Sequence, residues 1–310
     1  MPALMRILIT GCTGFVGSAL AVEAASRGHF VIGTSRKADH CPPLFPGKVE
    51  LSPAYDSENW VELLCGVDIL VHCAARVHQV KDDAVDPLAE FRAANTDATR
   101  KLAQWAVKSG VKKFIYLSTI KVNGEGTSPG QPFTSLDSPN PTSPYALSKW
   151  EGEQALREVS AGSTMSFDII RPPLVYGDGA KGNLAILEKL ARLRAPLPLA
   201  GVENRRSLIS RENLVDVILR CAEAPSVAPG AGNLWLVSDG YSVSTSQIYL
   251  SLCRSMNIEG RIFNLPKPFK SLMFYVLDKL GIKEKLFGSL EVDCSATMSE
   301  LDWRPAPGIR

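Results

Sequence analysis

Tyr145 and Lys149 stand four residues apart in Pro144-Tyr145-Ala146-Leu147-Ser148-Lys149, at the start of a helix predicted over Pro144 to Val159. That spacing places both side chains on one helical face. A free phenol, with a pKa near ~10, transfers protons poorly at neutral pH, and a neighbouring ammonium lowers that value by favouring the phenolate. The pair is therefore a candidate proton donor or acceptor. Its spacing alone is common, and Leu117-Ser118-Thr119 gives it company. These residues end a strand predicted over Phe114 to Ser118, at the carboxyl edge where parallel sheets bind ligands.

A second constellation is Thr10-Gly11-Cys12-Thr13-Gly14-Phe15-Val16-Gly17, directly after an apolar strand, Arg6 to Thr10, and opening a helix, Gly14 to Arg27. Gly11 permits a tight turn, Gly14 lets backbone approach an anion and Gly17 allows close helix packing. The unpaired N–H groups of the helix start would then face a pyrophosphate. Gly11, Thr13, Gly14, Phe15, Val16 and Gly17 are thus expected to hold a dinucleotide. The next predicted strand, Phe30 to Ser35, ends in Ser35-Arg36-Lys37, with no carboxylate before Asp39. An acid there would bind ribose hydroxyls, whereas Ser35 and Arg36 suit a 2′-phosphate, so NADP(H) is favoured and NAD(H) is possible.

Short apolar runs and helix-length segments alternate through the first half, the pattern of βαβ units. Further strands are predicted at Val49 to Leu51, Asp68 to His72 and Phe167 to Arg171, and further helices at Ser57 to Leu64 and Pro87 to Ser109. Runs such as Ile7-Leu8-Ile9 and Ile69-Leu70-Val71 are apolar on both faces, as strands covered by helices on both sides must be. The expected fold is α/β, a Rossmann-type doubly wound parallel sheet over residues 1–172, with some later segments returning to it. A smaller substrate-binding lobe is expected over 173–310, with helices near Leu184 to Leu193 and Arg211 to Ala222.

The 310 residues are 45% hydrophobic and 21% charged, enough for a large core. With 34 Lys and Arg against 32 Asp and Glu, a net charge of +2, nucleic-acid binding has no electrostatic footprint. Seven scattered cysteines without C-x-x-C spacing read as reduced thiols, with no disulfide framework and no metal site. No signal-peptide pattern appears, so a cytoplasmic location is expected. The apolar segment Pro268 to Leu290 carries Lys270, Asp278, Lys279, Lys283, Glu284 and Lys285, which excludes membrane insertion and favours a lid or packing helix.

Taken in order, these motifs make the chain resemble an extended short-chain dehydrogenase/reductase of the nucleotide-sugar epimerase/dehydratase family. The matching pieces are the glycine turn, His72-Cys73-Ala74-Ala75, Asn95, Ser118-Thr119 with Val122-Asn123-Gly124, the Tyr145–Lys149 motif, and Arg171-Pro172-x-x-Val175-Tyr176-Gly177. Arg206 with Glu212-Asn213-Leu214-Val215, and Leu301-Asp302-Trp303-Arg304-Pro305, complete the set. The resemblance implies Tyr145 as proton-transfer residue, Thr119 as hydrogen-bond partner of the reacting sugar oxygen, and Lys149 as holder of the nicotinamide ribose. It also implies dinucleotide contacts from Cys73, Ala74, Ala75, Asn95, Ser118, Arg171 and Pro172, and substrate contacts from Asn183 and Arg206. Lys121 and His78 are candidates for the substrate pocket.

The resemblance further implies a UDP-sugar substrate and a homodimer through the helices Pro87 to Ser109 and Pro144 to Val159. Ile120-Lys121 stands where the best-known 4,6-dehydratases carry an acid pair, which removes the groups for elimination of water. A C4 reductase and a C4 epimerase are left. Ser35-Arg36 leans toward reduction. The wording around Ala74 to His78, Ser118 to Gly124 and Arg206 to Ser210 is similar to O-antigen enzymes that reduce UDP-4-keto-6-deoxy-N-acetylhexosamine. From another class, a non-catalytic dinucleotide-sensing regulator is the alternative, disfavoured by an intact Thr119, Tyr145 and Lys149.

Overall fold

The computed structural model describes residues 4–36, 45–77, 85–180, 183–279 and 283–309. Its strands are β1 (Arg6–Thr10), β2 (Phe30–Ser35), β3 (Lys48–Leu51), β4 (Ile69–His72), β5 (Lys113–Leu117), β6 (Ser166–Arg171), β7 (Leu174–Tyr176), β8 (Arg206–Ser210), β9 (Gly232–Leu236) and β10 (Ser242–Val243). Its helices are α1 (Phe15–Ser26), α2 (Asn59–Leu63), α3 (Pro87–Phe91), α4 (Ala98–Lys108), α5 (Pro144–Ser160), α6 (Asn183–Arg192), α7 (Arg211–Glu223), α8 (Thr245–Ser255), α9 (Lys267–Lys279), α10 (Lys283–Phe287) and α11 (Ser295–Glu300).

Seven parallel strands form the main sheet in the order β3-β2-β1-β4-β5-β6-β9. Alternation along β1 sends Ile7 and Ile9 into one core with Leu20, Ala24, Leu214 and Ile218, and Leu8 into the opposite core with Leu70, Leu102 and Phe114. All three β1 side chains are fully buried, each stabilising by about 1.5–3 kcal/mol relative to exposure. A helix layer on each face thus explains the uninterrupted apolar runs. Strand order reverses between β1 and β4, opening a crease at their carboxyl ends.

β9 comes from the second half of the chain and extends the sheet beside β6. Asp168 of β6 accepts from Trp235 Nε1 and Asn233 Nδ2, both at 2.9 Å, which fixes the register. The buried Lys113 donates to the carbonyls of Cys221 and Ala224, at 2.6 and 2.8 Å, satisfying orphan acceptors at the end of α7. A separate three-stranded sheet has the order β10-β8-β7.

Two helices bear directly on the site. Pro87 to Lys108 runs continuously as α3, a π-helical turn at Arg92–Asp97, and α4. At the π turn the Thr99 hydroxyl donates to Asn95 O at 2.6 Å, and such bulges recur at functional sites. α5 starts with Ser143 as cap, its hydroxyl accepting from Ala146 N at 3.4 Å, and with Pro144 in the first turn. The two helices pack on each other, and their outward sides carry the ion pairs Arg92–Glu151 and Arg100–Glu158. Leu88, Trp105, Leu147, Trp150 and Val159 on these helices are partly exposed.

The apolar segment after Pro268 forms two helices, α9 and α10, where the sequence predicts one. α9 leaves Phe269, Tyr275 and Val276 exposed. Among the described residues, no helix is long and apolar enough to cross a membrane.

Candidate active site

The crease is walled on one side by the β1–α1 turn. Gly11 adopts φ +68°, and a Cβ there would lie 2.8 Å from Ala74 N. A Cβ on Gly17 would lie 2.4 Å from Gly11 O. Both positions therefore require glycine, the first for conformation and approach, the second for approach alone. Gly14 N donates to Gly11 O at 2.9 Å, closing the turn beneath the unpaired N–H groups of α1. This turn and helix start fit a pyrophosphate.

The opposite wall is the end of β4. Thr10 Oγ1 accepts from Ala74 N at 3.3 Å and shares a 2.7 Å hydrogen bond with His72 Nδ1, joining the two strand ends. His72 is buried, stacked 5.8 Å from the Tyr116 ring at 17°. Burial, reinforced by the Lys149 charge, pushes its pKa down to about 3, so the ring is neutral. Cys73 beside it is pushed up to about 12 by burial, with Lys149 opposing, and remains a thiol. Ala75 lies exposed along the wall.

Asn95 reaches the crease only through others. Its side chain accepts from Arg76 N at 2.9 Å and donates to Arg76 O and to Ser148 Oγ, at 3.1 and 3.0 Å, bracing the loop after β4 against α5. Arg171 likewise turns inward. Its guanidinium grips Glu153 through two bonds of 2.9 and 2.6 Å and Asn123 Oδ1 at 2.9 Å, all buried. Pro172 contributes its carbonyl to Ile120 N at 2.9 Å.

At the β2 end, Ser35 is buried and its carbonyl accepts from Ser52 N at 2.8 Å. Arg36 is exposed and close enough to Tyr55 to oppose the rise that burial imposes on that phenol. Tyr55 stacks on Trp60 with ring centres 5.8 Å apart. Residues 37–44, which follow Arg36, lie outside the described residues, as does His78.

Thr119, Tyr145 and Lys149 converge at the carboxyl edge of β5. Thr119 Oγ1 accepts from Lys121 N at 3.3 Å, capping a single 3₁₀ turn at Ile120–Val122, and can donate its own proton to the Tyr145 hydroxyl. The Tyr145 ring meets Phe91 edge-on at 6.0 Å. Burial raises the Tyr145 phenol to about 12, with the Thr119 hydrogen bond opposing. The Lys149 Nζ lies 4.0 Å from the centre of the Tyr116 ring, and desolvation of Tyr145 outweighs the lowering expected from a neighbouring ammonium, so the net shift of the phenol is upward. Lys149 is itself 1% exposed, and burial drives it down to about 7, with Glu153 pulling it back up.

The substrate candidates are more scattered. Lys121 pairs with Glu125 at 2.6 Å, and Glu125 also accepts from Ser143 at 2.7 Å, so Lys121 stands beside the α5 start. Arg206 opens β8 and donates to Gly288 O at 2.9 Å, its charge disfavoured by burial and supported by Glu284. Asn183 begins α6, and its side chain lies outside the described residues. Sequence reasoning passed over His72, Tyr116 and Glu153 as site residues. Only Glu153 carried a usable signal, its place four residues beyond Lys149 on the same helical face.

Residues 7–234 match the model of the NAD dependent epimerase/dehydratase family. The chain is 38% identical to a UDP-glucose 4-epimerase of Vibrio cholerae over 96% of its own length and 90% of that protein. It is 26% identical to an N-acetyl-alpha-D-glucosaminyl-diphospho-ditrans,octacis-undecaprenol 4-epimerase of Escherichia coli O157:H7, over 96% of this chain and 87% of that one. The Bordetella bronchiseptica enzyme WbmG, solved in complex with NAD, shares the fold at a TM-score of 0.74 and 20% identity, over 99% and 90% of the two chains. The sheet order, the glycine turn and this family match agree: the chain belongs to the NAD dependent epimerase/dehydratase family.

Proposed function

We propose that the chain is an oxidoreductase acting at C4 of a nucleotide-activated sugar, reducing a UDP-4-keto-6-deoxy-N-acetylhexosamine with NADPH for bacterial surface polysaccharide. The observation that carries the C4 reading is the convergence of Thr119, Tyr145 and Lys149 at one strand edge. Against elimination of water, Ile120 and Lys121 stand after Thr119 in place of an acid pair. Ser35 and the exposed Arg36 favour the phosphorylated dinucleotide. The lobe formed by residues 173–310 is read as the substrate holder, with Arg206 the candidate for the diphosphate.

A bound dinucleotide supplies or takes the hydride at C4. Tyr145, neutral at physiological pH, gives its proton to the oxygen on that carbon, and Thr119 donates a hydrogen bond to the same oxygen. The Lys149 ammonium stabilises the phenolate left behind, preorganised help worth several kcal/mol at such sites. Run in reverse, Tyr145 is the base. That direction belongs to a second reading, a UDP-sugar 4-epimerase on bound NAD, which the Vibrio cholerae relative favours.

The test follows reduced-nicotinamide absorbance with UDP-4-keto-6-deoxy-N-acetylglucosamine and NADPH or NADH, beside UDP-N-acetylglucosamine alone. Stoichiometric NADPH loss is expected, and C4 interconversion of UDP-N-acetylglucosamine without net oxidation would replace the reductase with the epimerase. Arg36→Ala should weaken NADPH about tenfold or more with little change for NADH. Tyr145→Phe should lower turnover at least about a hundredfold while dinucleotide affinity by fluorescence titration stays within about twofold; retained turnover would remove Tyr145 from the chemistry.

A further inference from the structure

Glu153 lies one turn beyond Lys149 on α5 and is fully buried. Its carboxylate accepts from Ser118 Oγ at 2.5 Å and from Arg171 Nε and Nη2 at 2.9 and 2.6 Å. One side chain thus joins α5, the end of β5 and the end of β6. A buried pair of this kind adds little stability over apolar side chains of similar size, so stability alone does not account for it.

The surroundings of Lys149 give it a task. Tyr145 precedes Lys149 by one turn of α5, His72 and Cys73 face it from the end of β4, and the Tyr116 ring lies under its Nζ from β5. His72, Cys73 and the two phenols are all held neutral by burial. Glu153 is left as the anion of the group. Arg171 and Arg157 act on Glu153 and on each other, from β6 and from one turn further along α5.

We propose that Glu153 is a positioning residue for the Tyr145–Lys149 pair: its carboxylate keeps Lys149 an ammonium and, through Ser118, fixes the strand end that carries Thr119. The inference rests on reading Tyr145 and Lys149 as the proton-transfer pair. Without this charge Lys149 would be neutral over more of the physiological range and could not stabilise a phenolate. Glu153 itself touches no reacting atom.

The direct readout needs no substrate. In full-length protein carrying lysine labelled with carbon-13 at Cε, the Lys149 resonance is assigned by its loss in Lys149→Met, then titrated by NMR. Glu153→Gln should lower the Lys149 midpoint by about one unit or more, and Glu153→Asp, which keeps the charge, should leave it within about half a unit. If Glu153→Gln does not fold, the paired replacement Glu153→Met with Arg171→Met carries the measurement, with a smaller fall of about half a unit or more expected because the Arg171 charge leaves with the carboxylate. The alkaline limb of the pH–rate profile for hydride transfer should move down with the midpoint, a shift that general loosening of the fold would not give. A Lys149 midpoint within about 0.3 units of the parent in a folded variant lacking the carboxylate would overturn the proposal. Absence of turnover on every sugar nucleotide in the parent protein would fail the functional reading instead and leave the titration to decide.

Discussion

Lys149 shows how far burial reshapes one side chain. It is 1% exposed and driven down to about 7 from an ordinary 10.5 by desolvation. Between those values the unfolded chain holds a proton that the folded chain releases, so this residue makes stability rise with pH across the window. Below about 7 the fold bears the full cost of a buried ammonium. Lys149→Met should therefore stabilise the protein without dinucleotide most near pH 6, and the gain should shrink toward pH 10 in urea titrations. A gain independent of pH would mean that Lys149 titrates normally in the fold. At this scale the sequence supplied residue types and helical spacing, and little else. That Tyr145, Lys149 and Thr119 belong together could be read from their places at predicted element ends. That burial outweighs any lowering and leaves the phenol raised could not, because desolvation depends on neighbours such as Tyr116 and His72, remote in sequence.

Among the elements, the β1–α1 turn is held most tightly by sequence. Gly11 combines a left-handed backbone with contact to Ala74, residues brought together by the β1–β4 pairing. Gly11→Ala should cost at least about 1–3 kcal/mol in denaturant unfolding and weaken dinucleotide binding more than tenfold. Binding within twofold of the parent would show that the crease tolerates a displaced turn. The strands and long helices of the first half fall within one or two residues of their predicted limits, since each is marked by a glycine, a proline or a cap at its end. The π turn at Arg92–Asp97 had no such mark. It arises where Asn95 is drawn into bonds with Arg76 and Ser148, a tertiary demand on a local helix.

Across the whole molecule, the last residues are tied back onto α7 and β7. Trp303 is fully buried and donates to Asp216 of α7 at 3.0 Å, and Asn213 exchanges hydrogen bonds of 2.9 Å with both backbone groups of Ala306. Beyond them, Ile309 N donates to Tyr176 OH at 2.9 Å, and that hydroxyl donates to Asp239 at 2.6 Å. Trp303→Ala should cost about 3–5 kcal/mol, and unfolding by circular dichroism and by bound-dinucleotide fluorescence should then shift together. If only the dinucleotide signal shifted, the tail would be serving the site alone. Composition and local pattern by themselves determined the parallel sheet, the glycine turn and the candidate proton-transfer pair, because backbone periodicity, turn conformation and helical spacing are local properties of a chain. Tertiary structure alone decided that β9 joins the main sheet, that Asn95 and Arg171 are bonded into the frame, and that Glu153 is paired with Arg171 and Ser118. Those outcomes depend on which charges lose their water together, and only the folded chain sets that.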